Sequence, residues 1–123
     1  MNCAKTSTFI GSGPANITCT FELTDILIGI NVSRKVNSTD SLLASINSDG
    51  NLNSTPPNGI EIKYTDTDLS TLSLEIATMT CADEGNYMFS ANQQGNVTFN
   101  GGGSLVAKGN LKLSSQLIKN NFQ

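Results

Sequence analysis

The sequence predicts an all-β protein in which two sheets pack face to face. Short segments alternate apolar and polar side chains, which is the period of a half-buried strand. Turn-forming residues separate these segments, as at Asp49-Gly50 and in the Thr-Pro-Pro-Asn-Gly run at residues 55–59. No segment of useful length has the helical period, and no internal repeat appears, so 123 residues predict one two-layer sandwich.

The composition excludes several classes of function. Only 14% of residues are charged and the net charge is −3, so there is no basic surface for nucleic acid or an anionic membrane. The chain has no histidine, which excludes Cys–His and Ser–His catalytic pairs and disfavours zinc. The carboxylates close in sequence, Asp66/Asp68 and Asp83/Glu84, have turn roles available. We therefore expect a binding module and not an enzyme, with no cofactor and no small-molecule substrate.

The first half of the chain predicts three strands. Residues 2–12 are poor in apolar side chains and predict an edge strand in one or two pieces. Residues 15–23 alternate strictly and predict a half-buried strand. Residues 26–32 predict the next strand. The side chains expected to point inward on the last two strands are Ile17, Cys19, Phe21, Leu23, Ile26, Ile28, Ile30 and Val32.

The middle of the chain is polar and broken. Residues 33–58 contain one apolar patch, at residues 42–46, and the Asp49-Gly50 turn signal predicts an extra hairpin there. Ile60, Ile62 and Tyr64 then alternate as a further strand.

Residues 74–89 are the most informative stretch. Leu74, Ile76 and Met79 are expected to face the core. An Asp83-x-Gly85-x-Tyr87 corner follows, in which glycine permits the turn and the tyrosine hydroxyl can bond to upstream backbone.

The last strand contains a run of glycines. After a turn at Gly95, Val97 and Phe99 lead into Gly101-Gly102-Gly103, where we expect a strand bulge and not a phosphate cradle, because no lysine or helix start follows. We expect residues 1–107 to form one domain and residues 108–123 to end the last strand and link to a following domain.

The order of these features resembles the immunoglobulin superfamily over residues 17–106. The strand with Cys19 is similar to strand B, residues 74–89 to strands E and F with their corner, and the glycine-containing strand to strand G. The resemblance implies a two-sheet immunoglobulin-like β-sandwich, and the extra middle hairpin implies the variable type. The implied core residues are Cys19, Ile28, Ile30, Leu74, Ile76 and Phe89.

Three departures from the family pattern affect stability. Phe89 stands where the family has its second core cysteine, so Cys19 cannot make the usual bridge between the sheets. The three pairings among Cys3, Cys19 and Cys81 stay open. The strand C tryptophan is replaced by Ile28 or Ile30. No arginine opens strand D to pair with Asp83, so either the nearby Lys63 does so or Asp83 caps its own turn.

A variable-like domain with these departures resembles the membrane-distal domain of the allorecognition receptors of colonial hydroids. The resemblance implies an extracellular domain of a cell-membrane protein, with the span outside this fragment, that binds a like domain on an opposing cell. The contact face would be the outer side of strands C, C′, F and G. Its candidate residues are Asn31, Ser33, Lys35, Met88, Ser90 and Asn92. The alternatives are a soluble invertebrate immune module for foreign glycan or protein, and a structural spacer.

The sequence contains two further classes of motif. The Asn-x-Ser/Thr sequons, which indicate N-glycosylation in a secreted setting, are Asn16, Asn31, Asn37, Asn53 and Asn96. Residues 47–51 and Asp66-x-Asp68 look a little like calcium loops, but turns explain both better because the bidentate glutamate of such loops is missing.

Overall fold

The structure, a computed structural model, describes residues 1–108 and confirms the all-β fold. Within residues 1–108, eight strands and one short 3₁₀ helix follow one another. The strands are β1 (Asn2–Thr6), β2 (Ala15–Phe21), β3 (Leu27–Val36), β4 (Thr39–Ile46), β5 (Ile60–Asp66), β6 (Ser70–Ile76), β7 (Gly85–Gln93) and β8 (Val97–Leu105). The 3₁₀ helix, Cys81–Asp83, lies between β6 and β7.

The strands form two antiparallel sheets of four. Sheet one has the order β1-β2-β6-β5, and sheet two has the order β4-β3-β7-β8. These are the strand orders A-B-E-D and C′-C-F-G of an immunoglobulin-like sandwich. The apolar patch at residues 42–46 is the end of β4, and residues 47–59 add only a bridge between Leu52 and Ile46. The predicted extra hairpin is therefore one added strand followed by a loop.

The core of sheet one follows the predicted alternation. β2 and β6 pair without a register shift, and both alternate buried and half-buried residues along their whole length. Cys19, Leu74 and Ile76 are buried as predicted, and so is Met79 beyond the end of β6. A strict period of two places every second side chain between the sheets, which is why sequence alone identified these residues.

The prediction that Ile28 of β3 faces the core is wrong. Leu27 lies opposite Gln93 but Gly29 lies opposite Asn92, so Ile28 is an extra residue in the ladder. Such a bulge breaks the alternation, and the side chain of Ile28 is 55% exposed while Leu27 is buried. Ile26, also predicted inward, lies in the preceding loop and is exposed. Ile30 resumes the inward pattern and takes the place of the tryptophan.

The disulfide joins Cys3 to Cys19. The two residues are directly opposite each other on β1 and β2, so the bridge lies within sheet one, and Cys81 is a free, exposed cysteine. Phe89, at the position where the immunoglobulin pattern has its second core cysteine, is 1% exposed. Its ring fills the core where the family places a bridge between the sheets.

The N-terminal segment forms two pieces. β1 belongs to sheet one, whereas Phe9 makes a parallel bridge with Lys108, just beyond β8 of sheet two. The Lys108 carbonyl accepts from the Ile10 amide at 2.8 Å, and the Lys108 amide donates to the Thr8 carbonyl at 3.0 Å. The segment thus passes from one sheet to the other and closes one side of the sandwich.

The predicted bulge at the glycine run is also wrong. β8 pairs with β7 without a register shift through Gly101, Gly102 and Gly103. The glycines instead make room for β1, because a Cβ on Gly101 would come within 2.7 Å of Cys3 Sγ. Residues 109–123, and with them most of the predicted linker, lie outside the described part of the chain.

Candidate recognition surface

The corner before β7 fixes the start of that strand. The Tyr87 hydroxyl donates to the Asp83 carbonyl, as predicted for a tyrosine corner. One carboxylate oxygen of Asp83 accepts from the backbone amide and the hydroxyl of Thr80, each at 2.9 Å, so Asp83 caps its own turn. Lys63 pairs with Glu61 at 3.2 Å and not with Asp83.

The cation at this corner is Arg34, which the sequence did not identify. Arg34 lies opposite Tyr87 on β3, and its guanidinium donates to the Ala82 carbonyl at 2.5 Å. Burial raises the pKa of Tyr87 above its ordinary value of 10.0. The hydrogen bond between Arg34 and Tyr87 and the positive charge of Arg34 both lower this pKa and offset part of the effect of burial. Arg34 could not be assigned to this corner from the sequence, because its position depends on the register between β3 and β7.

The outer side of sheet two collects the six predicted contact residues, and we call it the C–F face. Asn31, Ser33 and Lys35 alternate along β3, while Met88, Ser90 and Asn92 alternate along β7. Asn31 lies opposite Ser90, and Ser33 lies opposite Met88. All six side chains are exposed or half-buried, so one surface presents them together.

Three rows of directly opposite residues cross all four strands of this face, in the order β4, β3, β7, β8. The Leu42 row is Leu42, Ser33, Met88 and Gly102. The Asp40 row is Asp40, Lys35, Asn86 and Ser104. The Ser45 row is Ser45, Asn31, Ser90 and Asn100. Within these rows only Asp40 and Lys35 are charged, so the face is polar but nearly neutral.

The relief of the face comes from its two edge strands. Leu42 is 64% exposed, the largest exposed fraction among the bulky apolar side chains of the described residues. It projects there because β3 and β4 shift register between Val32 and Ser33. On the β8 edge, the missing glycine side chains leave a groove of about 450 Å³ lined by residues that include Met1, Lys35 and Met88. The exposure of Leu42 and the groove at Gly102 both depend on strand register, which a single sequence does not display.

A second concave region lies at the end of the sandwich where the β2–β3, β4–β5 and β5–β6 loops meet. It is a cleft of about 470 Å³. Its acidic lining residues are Glu22, Asp25, Asp49, Asp66 and Asp68. Burial raises the pKa of Tyr64, whose hydroxyl donates to Ser70 Oγ at 3.0 Å inside this cleft.

The loops of this cleft have the predicted turn structure. The side-chain oxygen of Asn47 accepts from the amides of Asp49 and Asn51, at 2.9 and 3.1 Å. Asp66 ends β5, and Asp68 lies in the turn to β6. Within residues 1–108, no three cysteine or carboxylate side chains are placed to share a metal ion.

The five sequons are spread over the surface. Asn31 lies in the middle of the C–F face, while Asn16 is half-buried on β2 of sheet one. Asn37 and Asn96 lie in the hairpin turns of sheet two, with φ angles of 52° and 61°. Asn53 is exposed in the loop after β4. A glycan on Asn31 would cover the candidate surface.

No family model matches the chain. No curated protein matches it either. Among residues 1–108, no helix has both the length and the apolar character needed to cross a membrane.

Proposed function

We propose that this chain is a variable-type immunoglobulin domain in the ectodomain of a cell-surface receptor. In this proposal it binds a like domain on an opposing cell and so serves self/non-self discrimination. The observation that carries the proposal is the C–F face, a four-stranded surface on which the six candidate contact residues lie together. Support for the variable type comes from β4, which extends sheet two beside β3 as strand C′ does in that class.

The chemistry of the C–F face suits protein binding. Interface cores are depleted in charge and enriched in methionine, and the Leu42 and Ser45 rows carry no charge and include Met88. The backbone of a hydrogen-bonded sheet is already ordered, so association does not cost the entropy of ordering a loop. Homophilic binding also needs a patch that can face its own copy, and a nearly neutral surface avoids like-charge repulsion in that arrangement.

A bead assay tests the proposal. The domain is coupled to beads of two colours, and mixed clumps are scored. We expect the wild type to clump and Lys35→Glu or Asn92→Arg to abolish clumping, because the first reverses a charge on the C–F face and the second adds one. The matched control is Lys63→Glu, the same change on exposed β5 of sheet one, which leaves clumping intact. If folded wild-type protein forms no clumps at high surface density, the homophilic function is wrong.

The acidic cleft favours a second candidate, a soluble immune module that binds a foreign glycan or protein. In variable domains the ligand-binding loops, which include the B–C loop, cluster at one end of the sandwich, and the cleft is lined in part by the equivalent β2–β3 loop. Five carboxylates in its lining would suit a ligand carrying positive charge. Binding to immobilised amino sugars or basic peptides that Asp25→Asn and Asp68→Asn abolish, without any clumping of beads, would support this candidate over the first.

A further inference from the structure

We infer that two copies of the C–F face pair in one orientation, as a dimer whose two-fold axis runs parallel to the strands between β3 and β7. This inference rests on the proposed homophilic function and adds which residues meet. In this dimer, the Leu42 projection and the glycine groove each contact a second copy of this chain.

Symmetry dictates the contacts. A two-fold axis in the plane of the interface and parallel to the strands reverses the strand order and keeps the position along each strand. For the order β4-β3-β7-β8, it places β4 over the partner's β8 and β3 over the partner's β7. Each row of directly opposite residues therefore faces its own copy in reverse order. The arrangement is physically reasonable because β-sheets in proteins commonly pack face to face with their strands nearly aligned.

The Leu42 row is complementary to itself under this operation. Leu42, 64% exposed, comes to lie over the Gly102 position of the other copy, where the face has no side chain. The groove there, about 450 Å³, is lined in part by the apolar side chains of Met1 and Met88. Leu42 and the groove at Gly102 lie in the same row of the sheet. The two-fold rotation therefore places Leu42 of each copy over the groove of the other copy.

The Asp40 row adds charge complementarity. Asp40 comes to lie over Ser104 of the other copy. The ammonium of Lys5 lies beside that residue, since Lys5 Nζ donates to the Ser104 carbonyl at 2.7 Å. Each dimer thus contains two Asp40–Lys5 pairs between the copies. The other in-plane axis, perpendicular to the strands, would instead place β4 over β4 and leave the projection and the groove without partners.

Charge reversal on two bead populations tests this orientation. Asp40→Lys alone and Lys5→Glu alone each create two like-charge contacts, so beads carrying only one variant should not clump at the density at which the wild type does. A mixture of Asp40→Lys beads with Lys5→Glu beads should form clumps that always contain both colours. In the mixed dimer one pair is native and the other is reversed, so both attract. Unchanged thermal unfolding confirms that the variants are folded.

The apolar contact is tested by sedimentation of the free domain. Leu42→Ala should raise the dissociation constant of the dimer about tenfold, because two copies of the side chain lose their groove. Leu69→Ala is the matched control, since Leu69 is 46% exposed in the turn between β5 and β6, away from the C–F face, and should leave the constant unchanged.

The outcomes separate the two levels of inference. If the folded wild type does not associate, the homophilic function itself fails. If the wild type associates but the mixed charge variants do not clump, the orientation is wrong and the function stands. Equal effects of Leu42→Ala and Leu69→Ala would likewise overturn the orientation.

Discussion

The two sheets of this sandwich differ in regularity. In sheet one, β2 pairs with both of its neighbours and β5 pairs with β6 without a register shift. In sheet two, the central strand β3 shifts register twice, between Leu27 and Gly29 against β7 and between Val32 and Ser33 against β4. Both sheets contribute to the same core, yet only sheet two departs from the ideal ladder.

The difference shows how a sheet can expose apolar side chains and still fold. A regular ladder with one buried face forces every second residue inward. Each shift of β3 interrupts this alternation and leaves an apolar residue outside, Ile28 at the first and Leu42 at the second. Sheet one therefore holds the regular core and the disulfide, while sheet two carries the surface that we assign to recognition.

The largest effect is expected where the alternation of β3 resumes. Ile30→Ala should lower the free energy of unfolding by roughly 2–5 kcal/mol, because it leaves a cavity at a side chain that is 1% exposed. Ile28→Ala, the same change two residues earlier, should cost less than about 0.5 kcal/mol, since Ile28 is 55% exposed and leaves no cavity in the core. Urea unfolding measures both. Similar losses for the two variants would contradict the bulge between Leu27 and Gly29.

The disulfide gives the next largest effect, and it acts on sheet one. Cys3→Ala should lower the free energy of unfolding by about 3 kcal/mol, because the bridge closes a loop with a sequence separation of 16 residues in the unfolded chain. Cys81→Ser removes the free cysteine and should leave stability unchanged. Both are compared by chemical unfolding without reductant. A loss for Cys81→Ser equal to that for Cys3→Ala would show that the bridge is assigned to the wrong pair.

The smallest effect concerns the corner that leads into β7. Tyr87→Phe should cost about 1 kcal/mol at neutral pH by removing the hydrogen bond to the Asp83 carbonyl. Burial raises the pKa of Tyr87 in the folded state, so the folded protein holds this proton more tightly than the unfolded chain. The free energy of unfolding is then insensitive to this group below about pH 10 and falls as the pH rises above it.

Unfolding from pH 8 to 11 tests this dependence. Tyr87→Phe should lose less stability than the wild type over the alkaline part of that range. The dependence that remains includes Tyr64, whose pKa is also raised by burial, and Tyr64→Phe serves as the comparison. An identical alkaline decline in the wild type and in Tyr87→Phe would show that the Tyr87 proton is not held by folding.

The residues predicted correctly from the sequence are those marked by a local pattern, and they lie in both sheets. Strict alternation in β2 and β6 identified Cys19, Leu74 and Ile76, and the corner motif identified Tyr87, because these signals are local. Ile28 was assigned wrongly because one inserted residue changes the face of its neighbours without changing composition. The role of Arg34 and the alignment of Leu42 with Gly102 depend on pairing between distant strands, which a single sequence does not display. The Cys3–Cys19 bond was likewise one of three equal possibilities until β1 was placed beside β2.

The bridge between Phe9 and Lys108 has a mechanical consequence. Two backbone hydrogen bonds flank Lys108, one to Thr8 and one to Ile10, and the two segments run parallel. A pull on the chain beyond Lys108, directed along β8, loads both bonds in shear at the same moment, whereas peeling would break them one after the other. The proposed binding to a neighbouring cell would place the domain under such tension, and the contacts of Thr8 and Ile10 with Lys108 would resist it.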